Sequence, residues 1–276
     1  MRRFLKPLAR TFGRVFPGCV MQSQAVTFTM FLAFFPMLLL AFGMLSVSDR
    51  FRAEMIDLPR RLEFILPPDA DRMVMEYILH RGLHPLRWIL LGLGGTLLAG
   101  TQVMSNLMDG FRTISGVLER RSYLVRQLRA LGLLCLTFIP ALAVMVFTVF
   151  GRQMRRRLIR QVGYPLLLRF VGTGVYFVVV FLLALGVLML VYHIGQPGRR
   201  GWREILPGAA FATILWWLVD AGFGFYVHLM PYGVVYGGLA AAIGLILWLY
   251  FTATVILLGA AYNVEAGQLG IFSRAR

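Results

Sequence analysis

Lysine is almost absent from this chain: 27 of its 28 basic residues are arginine, and Lys6 is the only lysine. Acids are also scarce, with 12 Asp and Glu in 276 residues, which leaves a formal net charge of +16. Only 14% of the residues are charged, whereas a soluble domain carries about 25%, so a water-soluble globule is excluded. The 2 cysteines, Cys19 and Cys135, lie in or beside apolar segments and show neither a disulfide framework nor metal-ligand spacing. Histidine offers little. His80 and His84 stand four apart, but Pro85 follows and no acidic third ligand is near, so no metal is expected. No GxSxG, P-loop, GxGxxG or HExxH pattern occurs, and neither a soluble-type active site nor a cofactor is expected. The basic N-terminal stretch also lacks the short apolar region and small-residue cleavage site of a cleavable signal peptide.

What the chain has in abundance is apolar length. Hydrophobic residues make up 59%, with mean hydropathy +0.74. The run Tyr236–Asn263 contains no charged side chain. As a helix it reaches roughly 40 Å, more than the roughly 30 Å hydrocarbon core of a bilayer. Six spans are expected, at about 25–47, 86–110, 130–151, 168–193, 205–229 and 237–263, each bounded by charge, Pro or Gly. The fold class is therefore all-α, a polytopic six-helix membrane bundle forming a single domain over 1–276. Residues 1–20 predict an amphipathic interfacial helix, with Phe4, Leu8, Phe12 and Val15 opposite Arg3, Lys6, Arg10 and Arg14, ended by Pro17-Gly18. The long connection 48–87 predicts two amphipathic helices separated by Pro67-Pro68, with Asp69 as the N-cap of the second.

Six spans put both termini on one side of a bacterial inner membrane. That side carries 15 basic residues against 13 opposite, a thin bias that favours cytoplasmic termini. The cluster Arg152, Arg155, Arg156, Arg157 and Arg160 argues against it. The arginine excess has three readings: a GC-rich genome, attraction to anionic lipid headgroups, or nucleic acid, which a pI of about 11.1 does not exclude. Membrane lipids with anionic headgroups are the expected partners, and nucleic acid is not. Nothing in the sequence fixes an oligomeric state.

Polar residues inside the spans are the candidates for function. Asp220 lies deep in the fifth span, where an acid costs about 2.5–3.5 kcal/mol on insertion scales and normally finds a partner. Thr213, Trp217, Asp220, Gly224 and His228 share one helix face. They line either a substrate, ion or proton site, or a single interhelical bond, with Arg169 as one possible partner of Asp220. In the second span Gln102, Ser105, Asn106 and Asp109 stand at i, i+3, i+4 and i+7 and project together. With Gln24 at the start of the first span and Asn263 at the end of the last, they form either a polar vestibule or ordinary interhelical glue. Gly92, Thr96 and Gly100 make a small-residue stripe suited to close packing, as do Gly237, Gly238, Ala241 and Gly244. Pro36 and Pro140 are positioned to kink their helices.

Several stretches resemble the YihY/BrkB family of inner-membrane proteins. AVTFTMFLAFFPMLLL keeps Phe34, Phe35 and Pro36 of the family's first-span motif, with Phe28 and Thr29 in place of its tyrosine pair. GVLERRSYLVRQLRAL carries the Gly-x-x-Glu-Arg-Arg pattern at Gly116, Glu119, Arg120 and Arg121. WREILPGAAFATILWW matches at Trp202, Arg203, Pro207 and Gly208, and the last span at Tyr236, Gly237, Leu247, Trp248, Tyr250, Gly259, Ala260 and Asn263. The chain departs from the pattern at Ala261, where the family usually has Glu; Glu265 stands one turn later. The resemblance implies six transmembrane helices and an inner-membrane address. It also brings a historical ribonuclease BN label, which these residues do not support, since metal-dependent phosphodiester cleavage needs clustered carboxylates or histidines. Seven of the 12 acids lie within 48–87, scattered among arginines. The expected function is transport or handling of a lipid or other envelope amphiphile, with a non-transporting membrane scaffold as the alternative and a non-enzymatic role in either case.

Overall fold

The computed structural model describes residues 16–47, 85–117, 122–138, 140, 166–198, 201–229 and 238–269. Six helices run through them: α1 (Phe16–Leu45), α2 (Pro85–Ser115), α3 (123–138), α4 (Leu166–Gly195), α5 (Trp202–Leu229) and α6 (Gly238–Gln268). No strand occurs among the described residues. All but α3 are long and apolar enough to cross a membrane. The chain is thus a polytopic helical membrane protein. Residues 139 and 141–151 of the expected third span, the surface helices of 48–84 and the interfacial segment up to residue 15 lie outside the described residues.

The helix limits follow local chemistry. α1 begins at Phe16, so Pro17-Gly18 opens a membrane helix instead of closing the expected interfacial one. Proline suits the first turn of a helix, where its missing N–H has no partner to lose. Ser23 and Thr27 then return their hydroxyls to the carbonyls of Cys19 and Ser23, each at 2.6 Å, which lets two polar side chains sit in an apolar helix. α2 runs five residues past its expected end and stops in a Schellman turn. Gly116 takes φ 66°, its N–H donates to Thr113 O at 3.2 Å, and Val117 N–H donates to Arg112 O at 3.2 Å. α5 starts at Trp202, with the Gly201 N–H held by Glu204 Oε2 at 3.3 Å in half of a capping box.

The residues group into two compact units, one of 29–100 and one of 1–28 with 101–276. In the first, α1 and α2 run antiparallel and touch backbone to backbone. A Cβ on Gly43 would lie 2.8 Å from Ile89 N, and one on Gly95 would lie 2.7 Å from Pro36 Cβ, while Gly92 rests on the Leu40 backbone. The packing row is therefore Gly92 and Gly95 against Pro36, Leu40 and Gly43, rather than the Gly92–Thr96–Gly100 stripe read from spacing.

In the second unit α5 packs most extensively on α6 and next on α4. Gly110 of α2 sits against Leu257 of α6 and Gln22 of α1, which brings the start of α1, the end of α2 and the end of α6 to one level. Residues 257–266 of α6 are all buried, nearly three turns with no face exposed. The uncharged last span thus ends as the axis of this unit.

Candidate intramembrane site

α5 and α6 run antiparallel in a register fixed at both ends. At one end Asn263, 1% exposed, accepts the Gly208 N–H at 2.8 Å and donates from Nδ2 to Ile205 O at 3.1 Å. Gly208 and Gly259 leave no room here. A Cβ on Gly208 would enter the Gly259 carbonyl and the Asn263 amide, and one on Gly259 would lie 2.7 Å from Ala212 Cβ. α4 closes the junction: Tyr192 OH donates to Ile256 O at 2.7 Å and Gln196 Nε2 to Ala260 O at 3.4 Å. Phe111 of α2 meets the Tyr192 ring edge-on, with centroids 5.7 Å apart.

At the other end of the pair, Trp248 Nε1–H donates to Asp220 Oδ1 at 2.7 Å. Asp220 is exposed, on the outer surface of α5 and inside an otherwise apolar span. One turn earlier Trp217 is held by two rings of α4, Phe177 and Phe181, with centroid distances of 5.9 Å and 5.5 Å and both contacts edge-to-face. A carboxylate with one oxygen on an indole N–H keeps its remaining lone pairs for a second donor or a cation.

The other members expected on this face separate. Thr213 is fully buried and spends its hydroxyl on Ala209 O at 2.8 Å, so the face passes from packed interior to exposed surface over two turns. The side chains of Arg169 and His228 lie outside the described residues. Their helices are placed, however. Phe177 and Phe181 opposite Trp217, and His193 stacked on Trp202 at 4.3 Å, set the α4–α5 register. That register puts Arg169 level with His228, roughly 10 Å along the axis from the level of Asp220.

The second polar set also divides. Gln102 Nε2 donates to Asn106 Oδ1 at 3.1 Å, and Asn106 Nδ2 reaches Ala25 O at 3.5 Å. Ser105 is fully buried, and its hydroxyl has no hydrogen-bond partner among the described residues. Asp109 is half-buried and bridges two cations, Arg112 Nη1 at 3.0 Å and Arg126 Nη1 at 3.3 Å, tying the end of α2 to the start of α3. Gln24 is exposed, and it is Gln22 that faces Gly110. Asn263 spends both ends of its amide on α5 and so stands apart from the α2 stripe.

Sequence reasoning missed Tyr192, Gln196 and Arg126. The available signal was the polar set Tyr192, His193 and Gln196 closing an apolar span just before Pro197. Glu265 is 5% exposed, a buried acid at the end of α6. Among the described residues no group of three or more His, Cys, Asp or Glu could hold a metal ion.

A bundle of long apolar helices with buried interhelical bonds defines a multipass helical membrane protein. The profile of the family described as Virulence factor BrkB matches residues 18–270, and the chain belongs to that family. It is 28% identical over 245 residues to the ribonuclease-like protein YfkH of Bacillus subtilis (strain 168), covering 88% of each chain. It is 28% identical over 273 residues to the UPF0761 membrane protein azo3165 of Azoarcus sp. (strain BH72), covering 94% of this chain and 62% of that one. The UPF0761 membrane protein of Alcanivorax borkumensis is 25% identical over 269 residues, and the match covers 59% of its length. The chain thus spans about three fifths of these two longer relatives. No solved structure matches it.

Proposed function

We propose that the protein transports or handles an amphiphile, a lipid or an envelope precursor, in the bacterial inner membrane, with both termini cytoplasmic. The observation that carries this reading is Asp220: an acid within a span, on the bundle surface, with an indole as its described partner. An intramembrane acid is costly and marks a functional site by default, and one exposed among apolar neighbours suits a ligand with both a polar and an apolar part. The arginine-rich connections draw anionic headgroups to the same membrane. Asp220→Asn and Asp109→Asn should insert normally and fail to complement a strain lacking the protein. Wild-type behaviour of both variants removes the site assignment.

A scaffold without transport is the second reading. It is favoured by the use to which the family-pattern residues are put: Gly116 caps a helix, and Gly208, Gly259 and Asn263 fill a packing junction. Under it, function follows basic residues of the connection after α2 such as Arg120 and Arg121 and is indifferent to Asp220. The ribonuclease-like name of YfkH is not extended to this chain, whose acids are dispersed along the sequence in place of the carboxylate cluster that metal-assisted hydrolysis uses.

A further inference from the structure

The chemistry around Asp220 selects what it can hold. An aspartate carboxylate has acceptor capacity for about four hydrogen bonds. The described residues supply one donor, the neutral indole of Trp248. No Lys, Arg or His side chain among the described residues pairs with it. Its same-face neighbours one turn on are aromatic, Phe223 on α5 and the exposed Phe251 on α6. One indole, that of Trp248, is bonded to the acid, while Trp217, one turn earlier on α5, packs its ring on Phe177 and Phe181 of α4.

An anionic headgroup is repelled by such a site, and a neutral hydroxyl gains little over water. An ammonium group gains a charge-assisted hydrogen bond to the carboxylate oxygen that Trp248 leaves open, strengthened where water is thin. The flanking aromatic side chains then receive the ligand's hydrocarbon tail.

We propose that Asp220, held by Trp248, binds the ammonium head of an amine-bearing amphiphile at the lipid-facing surface of α5 and α6. The proposal rests on the reading of Asp220 as the ligand site and specifies the ligand's head chemistry. The test uses the full chain, labelled with 15N at the indoles, in dodecyl maltoside micelles. The Trp248 indole resonance is assigned by its loss in Trp248→Phe and followed during titration with dodecylammonium, dodecanol or dodecanoate. Dodecylammonium should shift it saturably and the other two should not. Asp220→Asn should weaken the titration by about tenfold or more, as expected for loss of a charge-assisted bond, and Asp220→Glu should retain most of it.

An equal shift with dodecanol, or an Asp220→Asn titration matching wild type, overturns the proposal. If Asp220→Asn fails to fold, seen as collapsed dispersion of the indole resonances, the wild-type comparison of the three probes decides alone. Asp220-dependent ammonium binding in a protein whose Asp220→Asn variant complements fully supports this inference and removes the function proposed above. Failure of Asp220→Asn to complement, with no dodecylammonium shift in wild type, removes this inference and leaves that function.

Discussion

Asn263 uses both ends of its side-chain amide on the first turns of a neighbouring helix, beside a proline. Pro207 has no N–H to give to the carbonyl one turn earlier, and Asn263 makes polar contacts close to it, to Ile205 O two residues before and from the Gly208 N–H one residue after. Both contacts are buried, so their loss removes a polar tie between the two helices where no water replaces it. Asn263→Ala should lower stability by about 1–3 kcal/mol, read as a lower midpoint for thermal loss of monodisperse protein in detergent. Retention of the wild-type midpoint would mean that the junction holds without the amide. From sequence, Asn263 was visible as a polar end to an apolar span, but its partners were not. They lie 55 and 58 residues away, and helical periodicity says which residues share a face without saying which face meets which. The same limit hid Trp248 from Asp220. The acid stood out because charge inside a span is rare, while a tryptophan in an apolar run looks like packing.

Among the elements, α2 shows how finely helix contact is graded. Gly94 and Gly95 are adjacent, yet a Cβ on Gly94 meets nothing within 4 Å and one on Gly95 lies 2.7 Å from Pro36 Cβ. Gly95→Ala should destabilise by about 1–3 kcal/mol through overpacking. Gly94→Ala should be neutral or stabilise by up to about 1 kcal/mol, the helix-propensity gain of alanine over glycine. Side-by-side melting of the two variants checks both values, and equal effects would contradict the α1–α2 register. The positions of the helices were legible because apolar length is a strong signal. Their ends were less so. α2 continues through Asp109, Arg112 and Thr113 because the Asp109–Arg112 pair and the Thr113 and Ser115 hydroxyls are satisfied within the helix. The hydropathy change at Gly110 therefore marks where apolar surface thins, while the backbone stops at Gly116, the position that needs a positive φ.

For the molecule as a whole, the meeting of Gln22, Gly110 and Leu257 puts the beginning of α1 and the end of α6 at the same level. An even number of crossings links those two points. With the proposed orientation, green fluorescent protein fused after Arg276 should fluoresce and alkaline phosphatase at the same position should stay inactive. Both reporters placed in the 230–237 connection should give the opposite result. Active phosphatase after Arg276 would invert the orientation and move the Arg152–Arg160 cluster to the cytoplasm. The count left this choice nearly balanced because basic residues are abundant on both sides, 15 against 13.

The enclosure of residues 257–266 by other helices has a consequence for biogenesis. α5 leaves the ribosome first, and Gly208 cannot meet Asn263 until 55 more residues have been made. Until then the cleft that α6 will fill stands open to lipid, or to whatever insertase or chaperone attends the nascent chain. α6 is made after the helices that close around it, so this junction forms only once Asn263 has emerged, and a ribosome that stops short of Gln268 releases a protein without its axle.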